Sequence, residues 1–242
     1  MPCRICGDPA TIEAHVIPRA LYRRLAGNKQ HAMEGSLFRT GTRYQAKGVF
    51  DADLLCALHE RMLATADDYG MRFLHHFETA GRVGIRGNVW LVPNPKPDLL
   101  VRFVAACIWR RGVSAIGRET AELDLGPAEP KLRAMLFEGD TRFQPPLMVI
   151  RRTYTSQGQW LREIMWEPCK GFGLGDNTWS FFALGCEFMM KLNPYSHPAF
   201  PGYFIANGKS EVWALNMDPE EFTGVPGAID IAVNMLRGAP RD

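Results

Sequence analysis

The chain has 242 residues, 46% of them hydrophobic and 22% charged, with a formal net charge of +2. This is ordinary soluble globular composition, long enough for one large domain or a small one joined to a medium one, and able to bury a core without staples. No run of about 18 or more apolar residues occurs, so no membrane span is expected. The opening Met1-Pro2-Cys3-Arg4 carries no apolar signal segment, which predicts a cytoplasmic protein.

The distribution of charge says more than its total. Residues 1–50 hold eight basic groups (Arg4, Arg19, Arg23, Arg24, Lys29, Arg39, Arg43, Lys47) against three acidic ones (Asp8, Glu13, Glu34), a net of +5. Such a basic face suits a phosphate backbone and equally describes a solvated surface. The six cysteines, in a reducing compartment, read as ligands or buried thiols rather than disulfides. Cys107 and Cys186 sit in apolar runs and read as small core hydrophobes.

In chain order, Cys3-Arg4-Ile5-Cys6-Gly7 is a tight turn that brings two thiolates onto one ion, with Gly7 tolerating the left-handed backbone that follows. A short β-type run through Thr11-Ile12 and His15-Val16-Ile17 ends at Pro18. Leu21–Leu25 has a brief helical pattern. Residues 27–50, rich in glycine and polar side chains, predict a long loop with a strand or two.

From Leu55 the pattern turns helical. Leu55, Leu58, Met62, Ala66, Tyr69, Phe73 and Phe77 recur at helical spacing as one stripe, and Gly81 is a natural stop. After Asn94-Pro95-Lys96-Pro97, Asp98 reads as the N-cap of a second helix to about Gly112, with Leu100, Phe103, Val104, Cys107, Ile108 and Arg111 on its apolar face. A third helix is expected at Glu129–Phe137. Beyond Pro146 the character is β: Leu147–Thr155 is expected to pair with Gln159–Trp166, and Trp179–Leu184 with Glu187–Leu192 across Gly185-Cys186. Tyr203–Ile205 and Val212–Asn216 add strands, and Ala228–Leu236 a closing helix. The fold class is α+β.

Two ligand pairs carry the chemistry. Cys3-x-x-Cys6 and Cys56-x-x-His59 suit the tetrahedral shell of a structural zinc ion, one pair on a turn and the other on the first turn of a helix. Paired motifs of this kind are a far stronger signal than a lone C-x-x-C.

Between the pairs stands His15. The succession C-x-x-C-G, then Glu13-Ala14-His15-Val16-Ile17-Pro18, then Leu54-Leu55-Cys56-Ala57-Leu58-His59-Glu60 opening a helix resembles the HNH endonucleases. Within them it resembles a bacterial and phage group with the signature C-x-x-C…H-I-I-P…L-L-C-x-x-C-E. Asp67-Asp68-Tyr69-Gly70-Met71-Arg72-Phe73-Leu74 and Phe103–Arg110 are similar to later segments of that group. The resemblance is specific over residues 3–75, weaker to about 115, and absent beyond.

The resemblance implies a zinc-bound ββα-metal module over residues 1–85, followed by an α+β region (86–242) of helices and antiparallel sheet. It implies His15 as general base, with Glu60 where the last metal-binding histidine of the family stands. Asp51 falls where the middle asparagine would be, with Asp53 close enough to compete. Chemically the set is coherent. A histidine near neutral pKa takes a proton from water, and a carboxylate with a second donor holds Mg²⁺ or Mn²⁺ against a phosphate oxygen. Arg19, Arg23 or Arg24 would hold neighbouring phosphates.

The departures from the family pattern are His59 in place of the usual cysteine, Ala14 before the histidine, Glu60 for the final histidine and Asp51 at best for the asparagine. The expected function is therefore an HNH-type metal-dependent nuclease acting on DNA. The alternative is a catalytically decayed, zinc-stapled module that binds nucleic acid or protein, and an RNA-acting nuclease is a third reading. A protein partner or second copy of the chain stays open. His75-His76 reads as helix surface, Gly171–Asp176 as a loop between strands rather than a phosphate loop, and Trp160, Trp166, Trp179 and Trp213 as core or interface.

Overall fold

The computed structural model describes residues 2–27, 32–35, 42–45, 48–79, 84–85, 89–92, 95–115, 123–152, 155–156, 159–160, 164–170, 177–193, 204–205 and 212–217. The elements run β1 (Thr11–His15), α1 (Arg19–Ala26), β2 (Ala32–Gly35), β3 (Thr42–Gln45), β4 (Phe50–Cys56), α2 (Ala57–Thr79), β5 (Gly84–Ile85), β6 (Val89–Val92) and α3 (Pro97–Val113). There follow α4 (Glu129–Arg133), which continues as a π-turn over Ala134–Glu138, then β7 (Leu147–Arg152), β8 (Thr155–Ser156), β9 (Gln159–Trp160) and β10 (Ile164–Lys170). β11 (Thr178–Ala183), β12 (Cys186–Lys191), β13 (Phe204–Ile205) and β14 (Val212–Met217) complete the described chain. The α+β class is as expected. The expected helix at Ala228–Leu236, the glycine-rich Gly171–Asp176 and Gly81 lie outside the described residues.

β1 pairs antiparallel with β4, with a bulge between Ile12 and Ala14, and β4 runs without a break into α2. Pro18 follows β1 and sits at the N-terminus of α1. The knuckle at Cys3–Gly7 is fastened to this pair by the Arg4 N–H, which donates to the Leu54 carbonyl at 3.0 Å.

The second sheet is large and mixed, in the order β3-β2-β10-β11-β12-β7-β14-β6-β5, with β13 also on β7. Its pairs are antiparallel except β10 with β2 and β14 with β7. The expected antiparallel region is therefore corrected to a mixed sheet, and strands from both sides of residue 85 share it. β2 and β3 are the strands expected within residues 27–50, and they sit at the β10 edge.

Two other expectations change. Leu147–Thr155 pairs with Gln159–Trp166 only at its end, among the described residues. β7 instead lies between β12 and β14, and only Thr155-Ser156 and Gln159-Trp160 form the expected hairpin as β8 and β9. The β11–β12 hairpin forms as expected, but Cys186 belongs to the strand. The two-residue turn is Leu184 (φ 51°) and Gly185 (φ 78°), the doubly left-handed geometry whose twist matches the flanking strands.

α3 lies between α2 and the sheet and is buried on every side from Val101 to Gly112 apart from Arg102. A helix apolar all round is the mark of such a central position, and the single apolar face read from the sequence understates it. Phe103 meets Phe181 and Phe188 across the sheet, each at 6.1 Å between ring centroids, and Phe73 of α2 reaches Phe188 at 6.0 Å. Asp98 lies in the first turn of α3 rather than at the cap; Lys96 holds the N-cap position and Pro97 begins the helix.

The stripe expected on α2 is buried at Ala66, Tyr69 and Phe73 but not in its first turns. Leu63, Ala66, Tyr69, Phe73 and Leu74 are buried, whereas Leu58 and Met62 are 62% and 41% exposed. Leu55 belongs to β4, so the helix starts two residues later and its phase is set by residues that reach α3.

Candidate metal centre

Cys3 and Cys6 are brought together by the knuckle, in which the Gly7 N–H donates to the Cys3 carbonyl at 2.9 Å and Gly7 takes φ 75°. The Cys3 N–H donates to the Asp8 carbonyl at 2.8 Å, closing the turn. Cys56 is the last residue of β4 and His59 lies in the first turn of α2, so the strand-to-helix junction aims both at the knuckle.

The ligand atoms of Cys3, Cys6, Cys56 and His59 all lie within 4.8 Å of one another. Cys6 Sγ is 3.9 Å from Cys56 Sγ. His59 Nδ1 is 3.2 Å from Cys56 Sγ and 3.7 Å from Cys3 Sγ. Zinc–sulfur bonds of about 2.3 Å in a tetrahedron put ligand atoms roughly 3.8 Å apart, so these separations match the edges of one zinc shell. With Nδ1 facing the sulfurs, a metal ion held there would leave the ring proton to Nε2.

The electrostatics ask for a cation. Burial pushes the Cys3 thiol up, but backbone N–H groups of Cys6, Ile5 and Cys56 outweigh this and hold it below its ordinary value. At Cys6 the backbone N–H of Asp8 favours the thiolate, yet desolvation and the adjacent Cys3 and Cys56 sulfurs leave the thiol raised. Thiolates this close repel one another, and a divalent ion removes the repulsion. The four residues predicted as ligands thus form a group able to hold a metal such as zinc. Cys107, Cys169 and Cys186 are buried away from it, the first and last as core residues as expected.

His15 ends β1, half-buried, opposite Phe50 in the strand pair, with ring centroids 6.2 Å apart. Asp51 neighbours it across the pair, at the register of Ala14. Its carboxylate is engaged: Oδ1 accepts from the Asp53 N–H at 2.9 Å and Oδ2 from the Ala115 N–H at 2.7 Å, tying β4 to the chain just past α3.

Glu60 points into the interface of α2 and α3. One oxygen lies 3.9 Å from Arg110 Nη2 and the other is buried without a hydrogen-bond partner. Burial pushes its carboxyl above the ordinary value; Arg110 opposes this and Asp67 adds to it.

Arg110 itself is fully buried and held by Asp67 through two hydrogen bonds of 2.6 and 3.3 Å. Sequence reasoning quoted Asp67 and Arg110 as parts of motifs but assigned them no role. The signal was present: a guanidinium buried in a largely apolar helix must find a carboxylate, as Arg110 finds Asp67 and the neighbouring Arg111 finds Glu167. Phe137 of the π-turn was also missed; its ring meets His59 edge-on at 5.7 Å and Trp109 at 5.0 Å. No sequence periodicity announces that contact.

Among the described residues, no second group of three or more His, Cys, Asp or Glu ligand atoms converges. His15, Asp51 and Glu60 are not gathered into one, so the residues present do not make the cage expected for Mg²⁺ or Mn²⁺. Arg19, Arg23 and Arg24 are exposed on α1, whose Leu21, Tyr22 and Leu25 are buried. Lys29, Arg39 and Lys47 lie outside the described residues. His75 and His76 are exposed, as expected. Among the described residues no helix is long and apolar enough to cross a membrane.

No family model, no curated protein and no solved structure matches this chain.

Proposed function

We propose that this chain is an HNH-type nuclease that hydrolyses phosphodiester bonds in DNA, with His15 as general base on a zinc-stapled ββα-metal module. The observation that carries the reading is the position of His15. It ends the strand paired with β4, is accessible from solvent, and lies on the strand pair that ends in Cys56 and leads into the helix bearing His59. A neutral imidazole there takes the proton of a water molecule as its oxygen attacks phosphorus; the departing sugar oxygen takes a proton from solvent. Zinc in the Cys3/Cys6/Cys56/His59 shell supplies the folding staple.

A second reading, a zinc-stapled binding module without hydrolysis, is favoured by the engagement of the two carboxylates. Asp51 serves the Ala115 backbone and Glu60 faces Arg110, so neither is free to complete an HNH centre.

One assay separates the readings. Zinc-loaded protein is incubated with supercoiled plasmid in Mg²⁺, Mn²⁺ or Ni²⁺. Nicking that His15→Ala abolishes, with zinc still one per chain and an unchanged melting temperature, is the expected result. Folded, zinc-loaded protein that cuts neither DNA nor RNA would sink the enzyme reading; cleavage of RNA alone would redirect it.

A further inference from the structure

We infer that Arg19 and Arg23 of α1, with Phe50 beside His15, form a docking strip for the sugar-phosphate backbone of duplex DNA. The inference rests on the nucleic-acid reading above and adds where the partner sits and how it is held.

α1 is divided cleanly. Leu21, Tyr22 and Leu25 are buried, while Arg19, Ala20, Arg23 and Arg24 are exposed, and the helix contains no acidic residue. Its buried side is pinned beside the strand pair. The Tyr22 ring lies against Gly48, where a Cβ would come within 2.4 Å of it, and the Val16 N–H donates to the Val49 carbonyl at 3.0 Å. The chain then passes directly to Phe50, 41% exposed, whose ring lies 6.2 Å from that of His15. Only three residues of chain separate His15 from Arg19.

The chemistry selects the partner. Arg19 and Arg23 are one helical turn apart, about 6 Å along the axis, and phosphates follow each other at about 3.4 Å of axis per strand of a duplex. Two guanidiniums at that spacing meet phosphates of one strand one or two positions apart. Neither arginine is ion-paired among the described residues. An exposed aromatic beside them packs against sugar or an accessible base edge. Contacts to phosphate carry no base information, so binding through the strip is indifferent to sequence.

The test is fluorescence anisotropy of full-length, zinc-loaded protein with a labelled duplex, titrated at several salt concentrations. Wild type, Arg19→Ala, Arg23→Ala, the double variant, Arg19→Lys and Arg142→Ala are compared. Arg142 is exposed and paired with Asp140 instead, and serves as the control. Each alanine is expected to weaken binding by a similar factor on unrelated sequences. Each should also lower the slope of log K against log salt by about 0.9. Arg19→Lys keeps the slope, and Arg142→Ala changes nothing. A double variant that binds duplex with wild-type affinity and slope overturns the docking strip and leaves the nucleic-acid reading standing. The same holds if single strands bind and duplex does not. Wild-type protein that binds no nucleic acid overturns the underlying reading, and the strip falls with it.

Discussion

Cys56 and His59 stand three residues apart at a strand-to-helix junction, and their atoms close on Cys3 and Cys6 from fifty or more positions away. Removing one ligand should therefore cost more than one local contact. Cys56→Ser is expected to drop bound zinc well below one per chain. It should lower the melting temperature by on the order of 10 °C, since structural zinc contributes many kcal/mol to folding; elemental analysis with a thermal melt checks both.

Glu60 gives a prediction of opposite sign. Its carboxyl is raised, chiefly by burial, so above the folded-state pKa the ionised group costs the folded protein stability. As pH falls through that value the native state takes the proton before the unfolded chain does, and the penalty disappears. Glu60→Gln should melt a few degrees above wild type near pH 7.5, with the gap shrinking as pH is lowered. A gap that does not change with pH would show that the charge is not the cause. Arg110→Met, which strands Asp67 and Glu60 without their shared cation, should cost about 3–5 kcal/mol by chemical denaturation.

At the scale of elements, the crossing of α2 over α3 depends on Gly70. A Cβ there would stand 2.2 Å from the Phe103 ring, with no room for the ring to retreat between Phe181 and Phe188. Helix propensity alone favours alanine over glycine by about 1 kcal/mol. Overpacking typically costs about 1–3 kcal/mol, and this contact is severe. Gly70→Ala is thus expected to be less stable than wild type in a urea titration, against the trend of propensity. The same crossing explains the phase of α2. The stripe through Leu58 and Met62 has helical period, but the residues facing α3 and the sheet are those on the row of Leu63, Ala66 and Phe73. Period identifies a helix; it does not say which of two overlapping apolar rows meets a partner. The β11–β12 hairpin was legible because its turn is local and contains Gly185. The expected pairing of Leu147–Thr155 with Gln159–Trp166 forms only beside its turn, as β8 and β9, because the large sheet places β11 and β12 between β7 and β10.

For the whole molecule, the Cys3/Cys6/Cys56/His59 group is joined to the rest through α2. Phe137, far along the chain, packs on His59; Arg110 of α3 holds Asp67; and strands β2 and β3 extend the large sheet from β10. A fragment of residues 1–85 would expose the α3-facing side of α2 and leave β2 without its neighbour. Such a fragment, loaded with zinc, is expected to show poorly dispersed amide NMR signals where the full chain shows a folded spectrum. A well-dispersed spectrum would contradict this.

The sequence by itself determined the two residue pairs that form the candidate metal group, the helix at the second pair, the helical and strand character of most later segments, and the α+β class. These follow from residues close together along the chain, where spacing translates directly into geometry. The tertiary structure decided what Asp51 and Glu60 face, why α3 carries a buried arginine, which row of α2 is buried, and the strand order. Each of these depends on groups far apart in sequence, and a carboxylate near an expected site keeps that role only if no interior backbone amide or guanidinium claims it first.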